Sequence, residues 1–173
     1  GQIGIETAIR AKSLGMKTYG INRTEKKNTS QYLDWHGSLG ELDFILKESD
    51  YLVLACDLNE STKGLINKRT LSIMKKTAYL INVARGDVCV EEDLFNSLKN
   101  KNIAGAAIDT WWIYPDRPKD GGKPEKAPRP SSFPFHKLDN VIMTPHNSAH
   151  TLEADLRRSK SILHNLLDFK KGK

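Results

Sequence analysis

Nothing in the 173 residues stays apolar for long enough to cross a membrane. No charged-then-apolar leader stands before a cleavage site, and no segment repeats. Cysteine is scarce: Cys56 and Cys89 are the only two, and their separation matches no metal-binding or redox motif. No metal site is therefore expected, and thiols without a disulfide framework fit a reducing cytoplasm. Nucleic-acid recognition motifs are also missing. The formal net charge of +6 comes from basic residues spread among acids, such as Lys26-Lys27, Lys75-Lys76, Arg157-Arg158 and the lysines at 170, 171 and 173. These read as solvated faces, so neither nucleic acid nor membrane is the expected partner. A cleft of positive potential instead attracts small anions, dinucleotides and carboxylates among them.

What is present is an alternation of helical and strand signals in a length suited to one domain with a sizeable core. Residues 2–14 predict a helix with Ile5, Ala8, Ile9 and Leu14 on one face, ended by Gly15. Met16–Ile21 predicts a short strand, and Ser38 with Glu41 forms a capping box before a helix over 42–46. Residues 51–55, 77–83, 103–108 and 141–143 predict further strands. Helices are expected in part of 65–74, over 90–99 and over 151–169. The strands are continuously apolar, as when both sheet faces are covered. The fold class is therefore α/β, a doubly wound parallel sheet. Residues 115–134 carry all but one of the seven prolines and read as a long surface loop.

In such sheets, ligands bind beyond the carboxyl ends of the strands. Asn22-Arg23, Cys56-Asp57, Ala84-Arg85-Gly86, Asp109 and His146 each follow a predicted strand. A histidine after a strand is by itself an ordinary loop residue, and Arg85 alone reads as a surface ion-pair partner. An arginine, an aspartate and a histidine brought to one edge by right-handed crossovers make a candidate site. The opening Gly1-Gln2-Ile3-Gly4 is half of a dinucleotide fingerprint, with a helix starting at once and residue 22 near the ribose-reading distance. The other half, one strand and an earlier glycine, is expected upstream of Gly1. The expectation is thus a truncated sheet lacking its first strand, split into two parts around a gap.

Gly-Gln-Ile-Gly (1–4), Leu65-Ile66-Asn67, Asn82-Val83-Ala84-Arg85-Gly86, Gly105-Ala106-Ala107-Ile108-Asp109 and Thr144-Pro145-His146 together resemble the nucleotide-binding domain of the D-isomer-specific 2-hydroxyacid dehydrogenases. The resemblance implies a Rossmann-like dinucleotide-binding domain over 1–150 and a helix over 151–173 that crosses toward a substrate domain outside this chain. It implies hydride transfer between NAD or NADP and a small 2-oxo or 2-hydroxy acid, in a homodimeric oxidoreductase. Arg85 would bind the substrate carboxylate, and His146 would be the general acid/base. Asp109 would bond the nicotinamide carboxamide. Gly1, Gln2, Ile3 and Gly4 would lie at the pyrophosphate, and Cys56, Thr62, Val83 and Ala84 would line the cofactor cleft. The roles are chemically apt: a guanidinium grips a carboxylate with two bonds, and histidine cycles a proton near neutral pH.

Two positions depart from the family pattern. Tyr114 stands where a carboxylate usually pairs with the histidine; Asp116 and Asp120 are alternative sources of one. Asn22, followed by Arg23, stands where an acid usually reads the ribose, which removes a repulsion, offers a cation and favours NADP. The alternative function is a dinucleotide-binding sensor or corepressor-like module without turnover. The double tryptophan, 111–112, reads as loop packing, with Trp112 also able to reach substrate.

Overall fold

A computed structural model of the chain describes residues 1–23, 29, 31–115 and 129–172. It opens on α1 (Gln2–Ser13). Beyond that helix Gly15 adopts a φ of 80°, which glycine alone takes without strain. The Met16 N–H then reaches the Ala11 carbonyl at 3.1 Å and the Gly15 N–H reaches Lys12 at 3.0 Å, closing the helix end. Strand β1 (Tyr19–Asn22) follows and pairs in parallel with β2 (Trp35–Ser38). The expected capping box is present: the Glu41 carboxylate accepts the Ser38 N–H at 2.7 Å and opens a short 3-10 turn into α2 (Leu42–Glu48).

The remainder keeps the order that the periodicity predicts: β3 (Tyr51–Leu54), α3 (Lys68–Ile73), β4 (Tyr79–Asn82), α4 (Glu91–Lys99), β5 (Gly105–Ile108), β6 (Val141–Met143) and α5 (Leu152–Lys170). The strands form two parallel sheets, β1-β2 and β3-β4-β5-β6. The expected division of the sheet is observed. Between β1 and β3 lies a cavity of about 890 Å³, lined by Gly20 and Ile21 on one side, Leu52 and Leu54 on the other, and Ile5 and Ala8 of α1.

Three sequence expectations are corrected. First, β2 was not anticipated, and β1 begins at Tyr19 rather than Met16. Trp35-His36-Gly37-Ser38 is too short and polar to read as a strand without its neighbour. Second, the four-stranded sheet is covered on one face. Leu52, Leu54, Leu80, Ala106 and Ile108 are buried with Leu46, Leu71, Leu94 and Leu98 from α2, α3 and α4. On the other face Tyr51 and Tyr79 stack at 5.8 Å but stay half-exposed, and Ile142 is exposed. The two remaining helices, α1 and α5, bury no residue. Third, the apolar face of α1 is not wholly inward: Ile5 and Ala8 are half-buried at the cavity, but Ile9 and Leu14 are exposed.

Of the proline-rich segment, the structure describes 115 and 129–134. Pro130 accepts the Ile113 N–H, and Ser131 and Phe133 lie against α4. The long α5 begins with Thr151 capping the Ala154 N–H. Its leucines 152, 156 and 163 are all exposed. Leu80→Ala should therefore cost the chain about 2–5 kcal/mol, while Leu156→Ala should cost less than about 0.5 kcal/mol. Urea unfolding of the 173-residue chain checks the contrast.

Candidate functional site

Register determines which residues meet. Leu54, Asn82, Ile108 and Met143 are neighbours across β3, β4, β5 and β6. The segments that leave these strands therefore emerge together at one edge. The N-terminus of α1 is at that edge as well: a Cβ on Gly4 would stand 3.9 Å from the Ala55 Cβ, in ordinary contact just past the end of β3.

The turn after β4 is built on Asn82. Its side chain is fully buried, its carbonyl accepts the Ala84 N–H at 3.0 Å, and its amide donates to the Arg85 carbonyl at 3.0 Å. A buried amide satisfied at both ends fixes the backbone that presents Arg85. Gly86 completes the turn. A Cβ there would come within 2.3 Å of the Trp111 carbonyl oxygen, so no other residue fits without moving the backbone. Arg85 itself is exposed, and its guanidinium donates to the Ala84 carbonyl at 2.6 Å. Among the described residues no carboxylate forms an ion pair with it.

Asp109, just past β5, is buried and holds the loop after β6. One carboxylate oxygen accepts the Thr144 hydroxyl at 2.6 Å and the Asn147 N–H at 3.1 Å; the other accepts the Ser148 hydroxyl at 2.5 Å and its N–H at 3.2 Å. Burial pushes the Asp109 carboxyl upward, but these bonds outweigh it and hold the group below the usual carboxylate range. Four donors occupy the acceptor sites of an ionised carboxylate. In this arrangement Asp109 is the anchor of the histidine loop.

His146 sits in that loop, exposed, with a φ of 56°. A non-glycine residue held there is uncommon and marks a constrained position. Its ring lies 5.4 Å from the Tyr114 ring at 57°. The Tyr114 hydroxyl accepts the Trp111 N–H at 3.0 Å, and the Trp111 indole donates to the Thr144 carbonyl at 2.9 Å. Tyr114 thus meets His146 ring to ring, tilted, and Trp111 braces both. Asp116 and Asp120 lie outside the described residues. Trp112 stacks on Phe135 at 5.4 Å and donates to the Cys89 carbonyl, so the tryptophans pack as expected.

The cavity between the sheets continues to this edge, where Gly1, Gly4, Asn22, Arg23, Cys56 and Thr62 line it. Gln2 and Ile3 are exposed in the first turn of α1, whose N–H groups have no partner within the helix. Such a helix start, beside an arginine and an uncharged amide, fits an anionic dinucleotide. Thr62 is buried and ties its loop by donating to the Asp57 carbonyl at 2.6 Å. Cys56 is half-buried, and burial pushes its thiol upward, so it remains protonated. Val83 is half-buried and donates to the Leu54 carbonyl, whereas the Ala84 side chain joins the core. Among the described residues no cluster of histidine, cysteine and carboxylates could hold a metal.

Two contributors were not singled out from sequence. One is Asn82 as a support, whose signal was a polar residue ending an apolar strand. The other is His36 in β2, whose Nε2 lies 3.1 Å from the Asn22 amide nitrogen.

Comparison with known proteins follows this geometry. The family model described as the D-isomer specific 2-hydroxyacid dehydrogenase, NAD binding domain, matches residues 1–148. The chain is 36% identical to the glyoxylate reductase of Pyrococcus furiosus over 172 residues, covering 99% of the chain and 46% of that relative. It is 37% identical to that of Pyrococcus horikoshii, again over 99% of the chain and 47% of the relative. The chain thus spans about half the length of these relatives. Among solved structures, it is similar to an NAD-complexed D-isomer specific 2-hydroxyacid dehydrogenase from Lactobacillus delbrueckii ssp. bulgaricus, with TM-score 0.84, 30% identity, and 99% and 51% of the two chains covered. It is also similar to an acyclic imino acid reductase in complex with NADPH and D-Arg, with TM-score 0.81, 27% identity, and 100% and 49% covered.

The Asp109 arrangement has a measurable sign. A carboxyl held below its unfolded value stabilises the fold above that value, about pH 3.9, and the contribution is lost as pH falls through the folded value. Asp109→Asn, which keeps one acceptor atom of two, should destabilise the chain at pH 7 by about 1–3 kcal/mol. The gap to the parent should narrow below about pH 4. Thermal melts at pH 7 and pH 3 measure both.

Proposed function

Because the chain belongs to the D-isomer-specific 2-hydroxyacid dehydrogenase family through its NAD-binding domain, we propose that it carries the hydride-transfer half of an NAD(P)-dependent reductase of small 2-oxo acids. The observation that carries this reading is the pairing of Arg85, a guanidinium with no acidic partner among the described residues, with His146, held at a φ of 56° on the same sheet edge. A sensor without turnover needs no general acid/base such as His146. These relatives are named as enzymes, and no observation favours the alternative.

The residues divide the work. Arg85 binds the substrate carboxylate with two parallel bonds, which orients the 2-oxo group toward His146. Reduced nicotinamide, when bound, would supply the hydride that C2 receives. Protonated His146 gives its proton to the carbonyl oxygen as the C=O π pair moves onto that oxygen. In the reverse direction neutral His146 takes the hydroxyl proton. The first turn of α1 holds the pyrophosphate, and Cys56, Thr62 and Val83 border the cleft. Asn22 and Arg23 face the adenosine ribose, where a missing carboxylate and an adjacent cation favour NADP. We read the cavity between β1 and β3 as the seat of one further strand joining the two sheets, and α5 as the crossing toward a substrate domain in a homodimer.

The test concerns the partner of His146. A carboxylate beside an imidazolium keeps it charged to higher pH, whereas Tyr114 offers a ring and no charge. In the intact enzyme, His146→Ala should lower 2-oxo acid reduction at least about a hundredfold. Tyr114→Glu should move the alkaline fall of the reduction rate to higher pH. A pH–rate profile that Tyr114→Glu leaves in place contradicts the assignment of that position, and an active His146→Ala contradicts the mechanism.

A further inference from the structure

The amide of Asn22 is not free: it meets His36 across the small sheet, Nδ2 to Nε2, at 3.1 Å. Gly20 is the register partner of His36, and Asn22 of Ser38, so the two side chains are diagonal neighbours on one face. Both residues are half-buried, and Asn22 also lines the cavity that reaches the site. Resting on the reading that Asn22 faces the adenosine ribose, we propose that His36 is a positioning residue for the cofactor. Its hydrogen bond to Asn22 can run in either direction, which lets one site take a ribose 2′-hydroxyl or a 2′-phosphate.

A neutral imidazole carries one ring nitrogen that donates and one that accepts, and the tautomer decides which is which. When Nε2 accepts, Asn22 gives it an amide N–H and turns its carbonyl oxygen outward. That oxygen accepts from a ribose 2′-hydroxyl, the group present in NAD. When Nε2 carries the proton, it donates to the Asn22 oxygen and the amide NH2 turns outward. Two N–H donors then face a 2′-phosphate, which offers only acceptors at its charged oxygens, and the neighbouring Arg23 adds a cation. A carboxylate at position 22 has no such second state: ionised, it only accepts, and it repels the phosphate. Asparagine alone has both faces, but a loose amide loses rotamer freedom on binding. His36 holds the amide in one of its two useful orientations in advance and matches either. No covalent step is involved, and the pair needs no metal or added group.

The experiment is a set of steady-state measurements on the intact enzyme with NADH and with NADPH. His36→Leu should raise KM for both cofactors by about two- to tenfold, the worth of one hydrogen bond. The change should appear in the cofactor KM more than in kcat or in KM for the 2-oxo acid. His36→Gln, whose amide both donates and accepts, should recover most of the loss. In an Asn22→Ala background His36→Leu should have no further effect, because its partner is gone. If His36→Leu does not accumulate as folded protein, His36→Phe, which keeps the ring and loses both nitrogens, takes its place. An unchanged KM for both cofactors overturns the proposal. So does a change confined to one cofactor, or an effect undiminished without Asn22. The underlying reading fails separately: if Asn22→Asp leaves the NADPH-to-NADH ratio of kcat/KM where it was, residue 22 does not face the ribose at all.

Discussion

In the larger sheet Leu54, Asn82, Ile108 and Met143 stand side by side as register partners of parallel strands. A shift of one residue in any of these pairings would turn buried side chains to the opposite face. Leu80 and Ala106 would then leave the core that α2, α3 and α4 close over. The packing of one face therefore enforces the register, and the register brings the strand exits to a common edge. Arg85, Asp109 and His146 are distant in sequence and neighbours in position because each follows one of these aligned strand ends.

At that edge, two buried polar side chains hold the two exposed ones proposed to act on substrate. Asn82 supports the turn that carries Arg85, and Asp109 supports the loop that carries His146. Buried groups of this kind lose water and regain it as hydrogen bonds, so their orientation is tightly fixed. The exposed pair, by contrast, stays open to solvent apart from the one bond from Arg85 to the Ala84 carbonyl. The rigid polar contacts lie behind the two exposed side chains.

Much of this was legible in the sequence, because period and punctuation are local. The helix expected over 2–14 and found over 2–13, its glycine end, the Ser38–Glu41 capping box and the four strands of the larger sheet all follow from spacing alone. What was illegible depends on partners distant in the chain. Residues 35–38 are extended because β1 pairs with them, and no local pattern announces it. His36 therefore escaped notice although it touches Asn22. An apolar strand shows that it is buried but not which helix covers it, so the open face around Ile81 and Ile142 was not foreseen. The role of Asp109 as a loop anchor needed the positions of Thr144, Asn147 and Ser148, which only the folded chain supplies. For Tyr114 the sequence located the position, and the structure supplied the mode of contact, ring against ring.

This edge is proposed as the place where a dinucleotide and a 2-oxo acid meet. A crystal structure of the intact protein with NADPH and oxamate, a non-reducible analogue of a 2-oxo acid, is the most direct test. The pyrophosphate should lie at the first turn of α1, with the analogue's carboxylate paired with Arg85. The analogue's carbonyl oxygen should lie within about 3 Å of the His146 ring. A dinucleotide bound away from this edge, or an analogue carboxylate that does not touch Arg85, would contradict it.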